Sequence, residues 1–178
     1  MANYITILRI FLIFPVLILA SPESDPYNWI ALVLFIIAGI TDHLDGYIAR
    51  KTGSTSSLGA LLDLVADKLL IIITLSYFIS YETNLLLLIP SIVIIIREIV
   101  ISSFRQRLAE IEGSNPIKVT LLAKSKTTLQ IIAISFLIIS PNFGQPFFFI
   151  TIFLFWLAAY VSSHSLYAYL KTYRNLLK

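Results

Sequence analysis

Long apolar stretches separated by short polar segments dominate the sequence. Six of these stretches have the length that a membrane-spanning helix needs, roughly 20 residues. They cover residues 4–20, 27–51, 57–80, 84–107, 121–140 and 147–172. Most of the separators are rich in Gly, Pro, Ser and Asn, which is typical of turns. The pattern therefore predicts an all-α polytopic membrane protein, a six-helix transmembrane bundle forming a single domain over residues 1–178.

The composition supports a membrane protein and excludes several classes of function. Of the 178 residues, 58% are hydrophobic and 13% are charged, and the mean hydropathy is +0.89, outside the range of a soluble domain. The chain has no cysteine, which excludes disulfides, thiolate metal sites and cysteine nucleophiles. The net charge of +3 comes from scattered basic residues that form no aromatic-interleaved patch, so no nucleic-acid partner is expected.

The distribution of lysine and arginine predicts the orientation of the bundle. Segments 21–26 and 141–146 and the turn at Glu82 contain no basic residue, whereas the opposite ends of the stretches carry the positive charge. Cytoplasmic loops retain Lys and Arg, so both termini and the basic ends are expected in the cytoplasm, with the protein in the inner (cytoplasmic) membrane. Ionisable residues within the stretches lie toward the same side. We therefore expect a polar cavity, and the active site, to face the cytoplasm.

Four aspartates are the most unusual feature of the apolar stretches. Asp42 and Asp45 are three residues apart, and Asp63 and Asp67 are four apart, so each pair shares a helix face that a hairpin could bring together. Each aspartate at the centre of a membrane helix would cost about 3 kcal/mol without compensation. Oxygen ligands suit hard cations, so the four carboxylates predict a site for Mg²⁺ or Mn²⁺, with two ions per site.

Small and basic residues accompany the aspartates. Gly46 and Gly59 allow close approach of a bulky ligand such as a nucleotide, and Arg50 could bind a phosphate through its forked guanidinium. Each has a simpler alternative, because glycines commonly serve helix packing in membranes and a terminal arginine commonly anchors a helix at the interface. The four aspartates have no comparably inexpensive structural explanation, and they favour the functional interpretation of their neighbours.

Together these residues form the pattern D-x2-D-G-x2-A-R-x8-G-x3-D-x3-D, running from Asp42 to Asp67. This pattern resembles, without a gap, the signature of the CDP-alcohol phosphotransferase family. Segments 3–9, 62–69, 97–105 and 123–130 resemble further stretches of bacterial members that use glycerol 3-phosphate. Three positions depart from the usual family residues: Thr41, Leu64 and Ala123.

The resemblance implies a function for each motif residue. Asp42, Asp45, Asp63 and Asp67 would hold two divalent cations against the pyrophosphate of CDP-diacylglycerol. Asp67 would also be the general base. The nucleotide would be lined by Gly46, Ala49, Arg50 and Gly59. The implied reaction transfers the phosphatidyl group to sn-glycerol 3-phosphate, releases CMP and belongs to anionic phospholipid biosynthesis. A homodimer is implied by the resemblance alone.

The acceptor is expected to bind near the fourth and fifth stretches. Four cations lie there at about one level and could hold a dianionic phosphate: Arg97, Arg105, Lys124 and Lys126. The alternatives are pairing of Arg97 with the neighbouring Glu98, and a topological role for Arg105.

Two other functions remain open from the residues alone. A related enzyme that uses phosphatidylglycerol as the acceptor and makes cardiolipin would share the aspartate motif. Intramembrane carboxylates can also line a cation pathway in a transporter. A pathway would need polar residues toward the outer side, where segments 85–88 and 147–155 are almost wholly apolar. A transporter is therefore disfavoured.

Overall fold

The computed structural model describes residues 2–52, 57–112 and 121–176, and within these ranges the chain is helical without strands. The six α-helices are α1 (Ala2–Leu19), α2 (Tyr27–Thr52), α3 (Ser57–Tyr81), α4 (Leu85–Glu112), α5 (Leu121–Ile139) and α6 (Gln145–Leu176). A short 3₁₀ helix, Ser140–Asn142, follows α5. Each predicted stretch corresponds to one helix, and the all-α prediction is confirmed.

Turn chemistry places several helix ends where the sequence predicts them. The Oδ1 atom of Asp25 accepts a hydrogen bond of 2.8 Å from the Tyr27 amide at the start of α2. Asn84 does the same for the Leu86 amide of α4, at 2.9 Å. Side-chain oxygens at these positions satisfy amides that have no partner inside the helix. Gly144 precedes α6 with a φ of 74°, a left-handed conformation that glycine adopts without strain.

The helices pack in two groups. Helix α1 contacts α2 and α3, and α6 contacts α4 and α5, while contacts between α2 and α5 join the groups. The largest buried apolar side chains include Phe35, Leu75, Ile134 and Phe155. Fully buried alanines on α2, α5 and α6 allow the helix backbones to approach closely: Ala31, Ala38, Ala133 and Ala158. The two groups thus share one apolar core.

Two of the described helices are long and apolar enough to cross a membrane, through residues Leu85–Phe104 and Gln145–Tyr167. Shorter apolar segments lie in α1, α2 and α3, at Thr6–Leu19, Tyr27–Thr41 and Lys68–Tyr81. Many large apolar side chains face outward, as hydrocarbon surroundings favour. Six complete spans remain a prediction from the sequence.

Two asparagines connect the loops at one end of the bundle. Asn28 is fully buried, and its Oδ1 atom accepts a hydrogen bond of 2.7 Å from the Ser21 amide. Its Nδ2 donates to the Glu23 carbonyl at 3.0 Å and to Asn142 Oδ1 at 2.8 Å. Asn142 Nδ2 in turn donates to the Asp25 carbonyl at 2.9 Å. The α1–α2 loop is thereby joined to the 3₁₀ helix before α6.

Candidate active site

The aspartate motif lies on two helices that contact each other. Helix α2 contains the first part of the motif and α3 the second, so each pair of aspartates has the helical spacing that the sequence predicts. The side chains of residues 42–64 and of Asp67 lie outside the described part of the structure. The four-carboxylate arrangement, and the roles of Gly46, Ala49, Arg50 and Gly59, therefore stay predictions.

Described residues next to the motif show a local contact on α2 and the packing of α3. The Thr41 hydroxyl, immediately before Asp42, donates to the Ala38 carbonyl at 2.8 Å and so remains within its own helix. On α3, Ala66 is fully buried, whereas the adjacent Val65 is 41% exposed. The part of α3 that carries the last aspartate is thus packed against the bundle along one face.

Two of the four predicted acceptor-binding cations, Arg97 and Lys126, have described side chains, and both contact Glu98. The Oε1 atom of Glu98 accepts hydrogen bonds from Arg97 at 3.1 Å and from Lys126 Nζ at 2.5 Å. All three residues are buried. The side chains of Arg105 and Lys124 lie outside the described part. The pairing of Arg97 with Glu98, considered from the sequence, is present, while the phosphate-binding roles stay predictions.

Glu98 is the centre of a larger polar cluster. Gln130 donates to Glu98 Oε1 at 2.9 Å and to Ser162 Oγ at 3.3 Å. Arg97 donates through Nε to the Ser162 carbonyl at 3.2 Å and through Nη2 of its guanidinium group to Ser165 Oγ at 3.0 Å. We call Arg97, Glu98, Lys126, Gln130, Ser162 and Ser165 the Glu98 network. It joins α4, α5 and α6, and sequence analysis missed it because its members are distant in the chain.

The Glu98 network lies close to the helix that carries Asp67. Lys68, the residue after Asp67, is near enough to Lys126 for the two charges to interact. Contacts between α3 and α5 agree with this proximity. The segment of α3 that follows Asp67 and the predicted acceptor cation Lys126 therefore occupy neighbouring parts of the bundle.

An apolar groove of about 250 Å³ is lined by residues of α2 and α5. Its lining is apolar except for one threonine, and consists of Ile36, Gly39, Ile40, Thr128, Ile131 and Ile132. A Cβ atom on Gly39 would lie 3.2 Å from Ile131 Cδ1, so a larger residue at this position would crowd the groove at its contact with α5. Gly39 is one helical turn before Asp42, which places the groove beside the aspartate motif.

Comparisons with known proteins agree with the motif. A sequence profile described as CDP-alcohol phosphatidyltransferase matches residues 1–163. A Haemophilus influenzae protein is 36% identical over 176 residues, covering 98% of this chain and 93% of its own length. A Rickettsia bellii protein is 38% identical, with 95% and 92% covered, and a Wigglesworthia glossinidia brevipalpis protein is 40% identical, with 73% and 71% covered.

All three relatives are named CDP-diacylglycerol–glycerol-3-phosphate 3-phosphatidyltransferase. The profile match extends over most of the chain and includes the complete aspartate motif on α2 and α3. The family resemblance predicted from the sequence is therefore confirmed. The chain belongs to the CDP-alcohol phosphatidyltransferase family.

Proposed function

We propose that this membrane protein is a CDP-diacylglycerol:glycerol-3-phosphate 3-phosphatidyltransferase. It transfers the phosphatidyl group of CDP-diacylglycerol to sn-glycerol 3-phosphate and forms phosphatidylglycerophosphate and CMP. The observation that carries this proposal is the complete aspartate motif in a chain that aligns over 98% of its length with an enzyme named for that reaction. The protein thus acts in phospholipid biosynthesis.

The chemical step is proposed to be one substitution at phosphorus. A glycerol hydroxyl oxygen attacks the β-phosphorus of CDP-diacylglycerol, the bond from that phosphorus to the CMP oxygen breaks, and CMP leaves. A hydroxyl is a weak nucleophile at neutral pH, so its proton must be accepted as the new bond forms. Asp67 is the proposed base, because it is the last carboxylate of the motif and the family resemblance implies this role.

The donor set fits divalent cations. Asp42, Asp45, Asp63 and Asp67 offer carboxylate oxygens, the ligands that Mg²⁺ and Mn²⁺ prefer, and the chain has no thiolate to favour softer metals. We assign these four residues to hold two such ions. When bound, the ions supply positive charge that neutralises the pyrophosphate.

Gly46, Ala49, Arg50 and Gly59 are proposed to bind the cytidine nucleotide. The three small residues permit close approach of the ligand, and the guanidinium can donate two parallel hydrogen bonds to a phosphate. The acyl part of the donor is apolar and requires an apolar site. The groove between α2 and α5 supports such a site, because it lies one turn from Asp42.

The acceptor phosphate is proposed to bind to Arg97, Arg105, Lys124 and Lys126. The Glu98 network supports a cationic site there, since its members include two cations and only one carboxylate. An excess of positive charge in a buried cluster favours a dianionic acceptor over a neutral alcohol. Lysine and arginine differ in geometry but both bind phosphate.

The proposed topology follows the basic residues. We assign six membrane spans in a single domain, both termini in the cytoplasm, and a polar cavity that opens to the cytoplasm beside the motif. The sequence resemblance also supports a homodimer. The loops joined by Asn28 and Asn142 would then lie on the outer side of the inner membrane.

The first test is CMP release by purified protein in detergent with CDP-diacylglycerol and Mg²⁺ or Mn²⁺. The acceptors compared are glycerol 3-phosphate, phosphatidylglycerol, inositol phosphate and serine. Release that depends on glycerol 3-phosphate, with phosphatidylglycerophosphate as the product, is expected. Cardiolipin formed from phosphatidylglycerol would instead assign the protein to the other acceptor class.

A further inference from the structure

The environment of Lys126 differs from that of a lysine that anchors a helix at the membrane interface. Lys126 is 8% exposed, and within the described part of the structure its Nζ makes one hydrogen bond, to Glu98 Oε1. An ammonium group has three N–H donors. Two N–H donors therefore remain for a ligand at a buried position, where polar groups without a hydrogen-bond partner are costly.

Glu98 determines where this ammonium group lies. Lysine has a flexible four-carbon side chain, so the position of its charge depends on the group that binds it. The same Glu98 oxygen accepts hydrogen bonds from Arg97 on its own helix and from Gln130 on α5. Gln130 is 1% exposed and follows Lys126 by one turn. Its hydrogen bond holds the Glu98 carboxylate against the face of α5 that carries Lys126. The carboxylate is thus fixed from two helices.

We propose that Glu98 is a positioning residue for the acceptor, which acts by holding Lys126 where its two remaining N–H donors bind the phosphate of glycerol 3-phosphate. This inference rests on the proposed function and adds Glu98 to it. Glu98 itself does not touch the acceptor, because a carboxylate would repel the dianionic phosphate. Its contribution is the orientation of a cation on α5 beside the α3 segment that ends the aspartate motif.

Two consequences distinguish positioning from general structural support. Loss of the Glu98 charge should weaken binding of the acceptor and leave binding of the donor unchanged, because Lys126 is assigned to the acceptor alone. The effect should also require Lys126, since Glu98 acts through that side chain. A residue that only stabilised the bundle would affect both substrates, and would do so whether or not Lys126 were present.

The test compares Glu98→Gln, Lys126→Met and the double variant, with steady-state CMP release as the readout. Glu98→Gln keeps the side-chain shape and removes the charge. We expect it to raise the KM for glycerol 3-phosphate about tenfold and to change the KM for CDP-diacylglycerol by less than about twofold. In the Lys126→Met background the same substitution should change the acceptor KM by less than about twofold.

Ser91→Ala is the matched control. Ser91 is buried on α4 two turns before Glu98, and its hydroxyl donates only within the helix, to the Leu87 carbonyl at 2.7 Å. Its loss should leave both KM values unchanged. If Glu98→Gln fails to fold, Gln130→Met removes one hydrogen bond to Glu98 without leaving a charge unpaired, and should raise the acceptor KM about threefold.

An unchanged acceptor KM in folded Glu98→Gln, or in Gln130→Met where that variant replaces it, would overturn the proposal. The same increase with and without Lys126 would also overturn it. These outcomes differ from failure of the proposed function, in which the unsubstituted enzyme itself would release no CMP in response to glycerol 3-phosphate.

Discussion

At the scale of residues, single buried polar atoms connect side chains of different helices. One oxygen of Glu98 receives hydrogen bonds from three side chains on two helices. Because the group is buried, loss of one partner leaves another polar atom without its hydrogen bond. A conservative substitution at these positions should therefore alter function or folding more than a larger change on the lipid-facing surface.

Asp67→Asn is predicted to lower phosphatidyl transfer about a thousandfold, because an amide cannot accept the proton of the attacking hydroxyl. The substitution preserves size, so membrane insertion should be unchanged. The measurement is CMP release at saturating substrates, with insertion checked by extraction from membranes. Glu23→Gln, at an exposed carboxylate in the α1–α2 loop, is the control. Near-normal turnover by Asp67→Asn would remove this residue as the base.

The sequence could predict some of these residue contacts but not others. Arg97 and Glu98 are adjacent, so their pairing could be considered directly. Lys126 is 28 positions from Glu98, and their contact depends on the rotation of α5 relative to α4. Helical periodicity places a residue on a face of its own helix, but it does not specify which neighbouring helix that face meets.

At the scale of elements, the apolar pattern predicted the helices well because the turn residues interrupt it sharply. The pattern was less informative about helix ends in polar segments. Helix α4 continues to Glu112, beyond the predicted end at Arg107, since residues 108–112 contain neither proline nor glycine. The apolar stretch of the sequence ends where the apolar surroundings end, whereas a helix continues until residues that break it interrupt the backbone.

Asn28→Ala is predicted to destabilise the bundle by about 2–3 kcal/mol, because it removes the partners of the Ser21 amide, the Glu23 carbonyl and the Asn142 side chain. Thermal unfolding in detergent, followed by helical circular dichroism, is the measurement. Ser24→Ala, at an exposed position of the same loop, should leave the midpoint unchanged. Equal midpoints for Asn28→Ala and the unsubstituted protein would show that these hydrogen bonds contribute little.

Gly39→Val is predicted to raise the KM for long-chain CDP-diacylglycerol about fivefold, because the added side chain would fill the groove against Ile131. The KM for glycerol 3-phosphate should not change. Ala31→Gly, on the same helix away from the groove, controls for altered packing of α2. A normal KM for the donor in Gly39→Val would exclude the groove as the acyl site.

At the scale of the whole molecule, two groups of three helices meet through contacts of α2 with α5 and of α3 with α4 and α5. The aspartate motif belongs to the first group, and the Glu98 network belongs to the second. Binding of donor and acceptor would therefore depend on how the groups are positioned relative to each other. The sequence pattern predicted the aspartate motif and the cations of the second group, but the Glu98 network and the packing of the two groups arise from tertiary structure.

The proposed orientation of the bundle can be tested with single introduced cysteines, because the sequence contains none of its own. A single cysteine at Ser24 should react with a membrane-impermeant thiol reagent added to intact cells, whereas one at Lys171 should react only after the membrane is opened. The positive residues on the side of Lys171 are expected to remain in the cytoplasm. Labelling of Lys171→Cys in intact cells would contradict the proposed topology and indicate the opposite orientation.

The groove between α2 and α5 has a consequence for how the lipid donor, CDP-diacylglycerol, would reach the enzyme. If the groove binds the acyl chains as proposed, in a bundle that spans the membrane, the donor would reach it by lateral diffusion, and encounters would occur in two dimensions. The effective concentration of the donor is then its mole fraction in the membrane or micelle. Adding inert detergent at constant total donor should slow the reaction by surface dilution, even though the volume and the amount of enzyme stay the same.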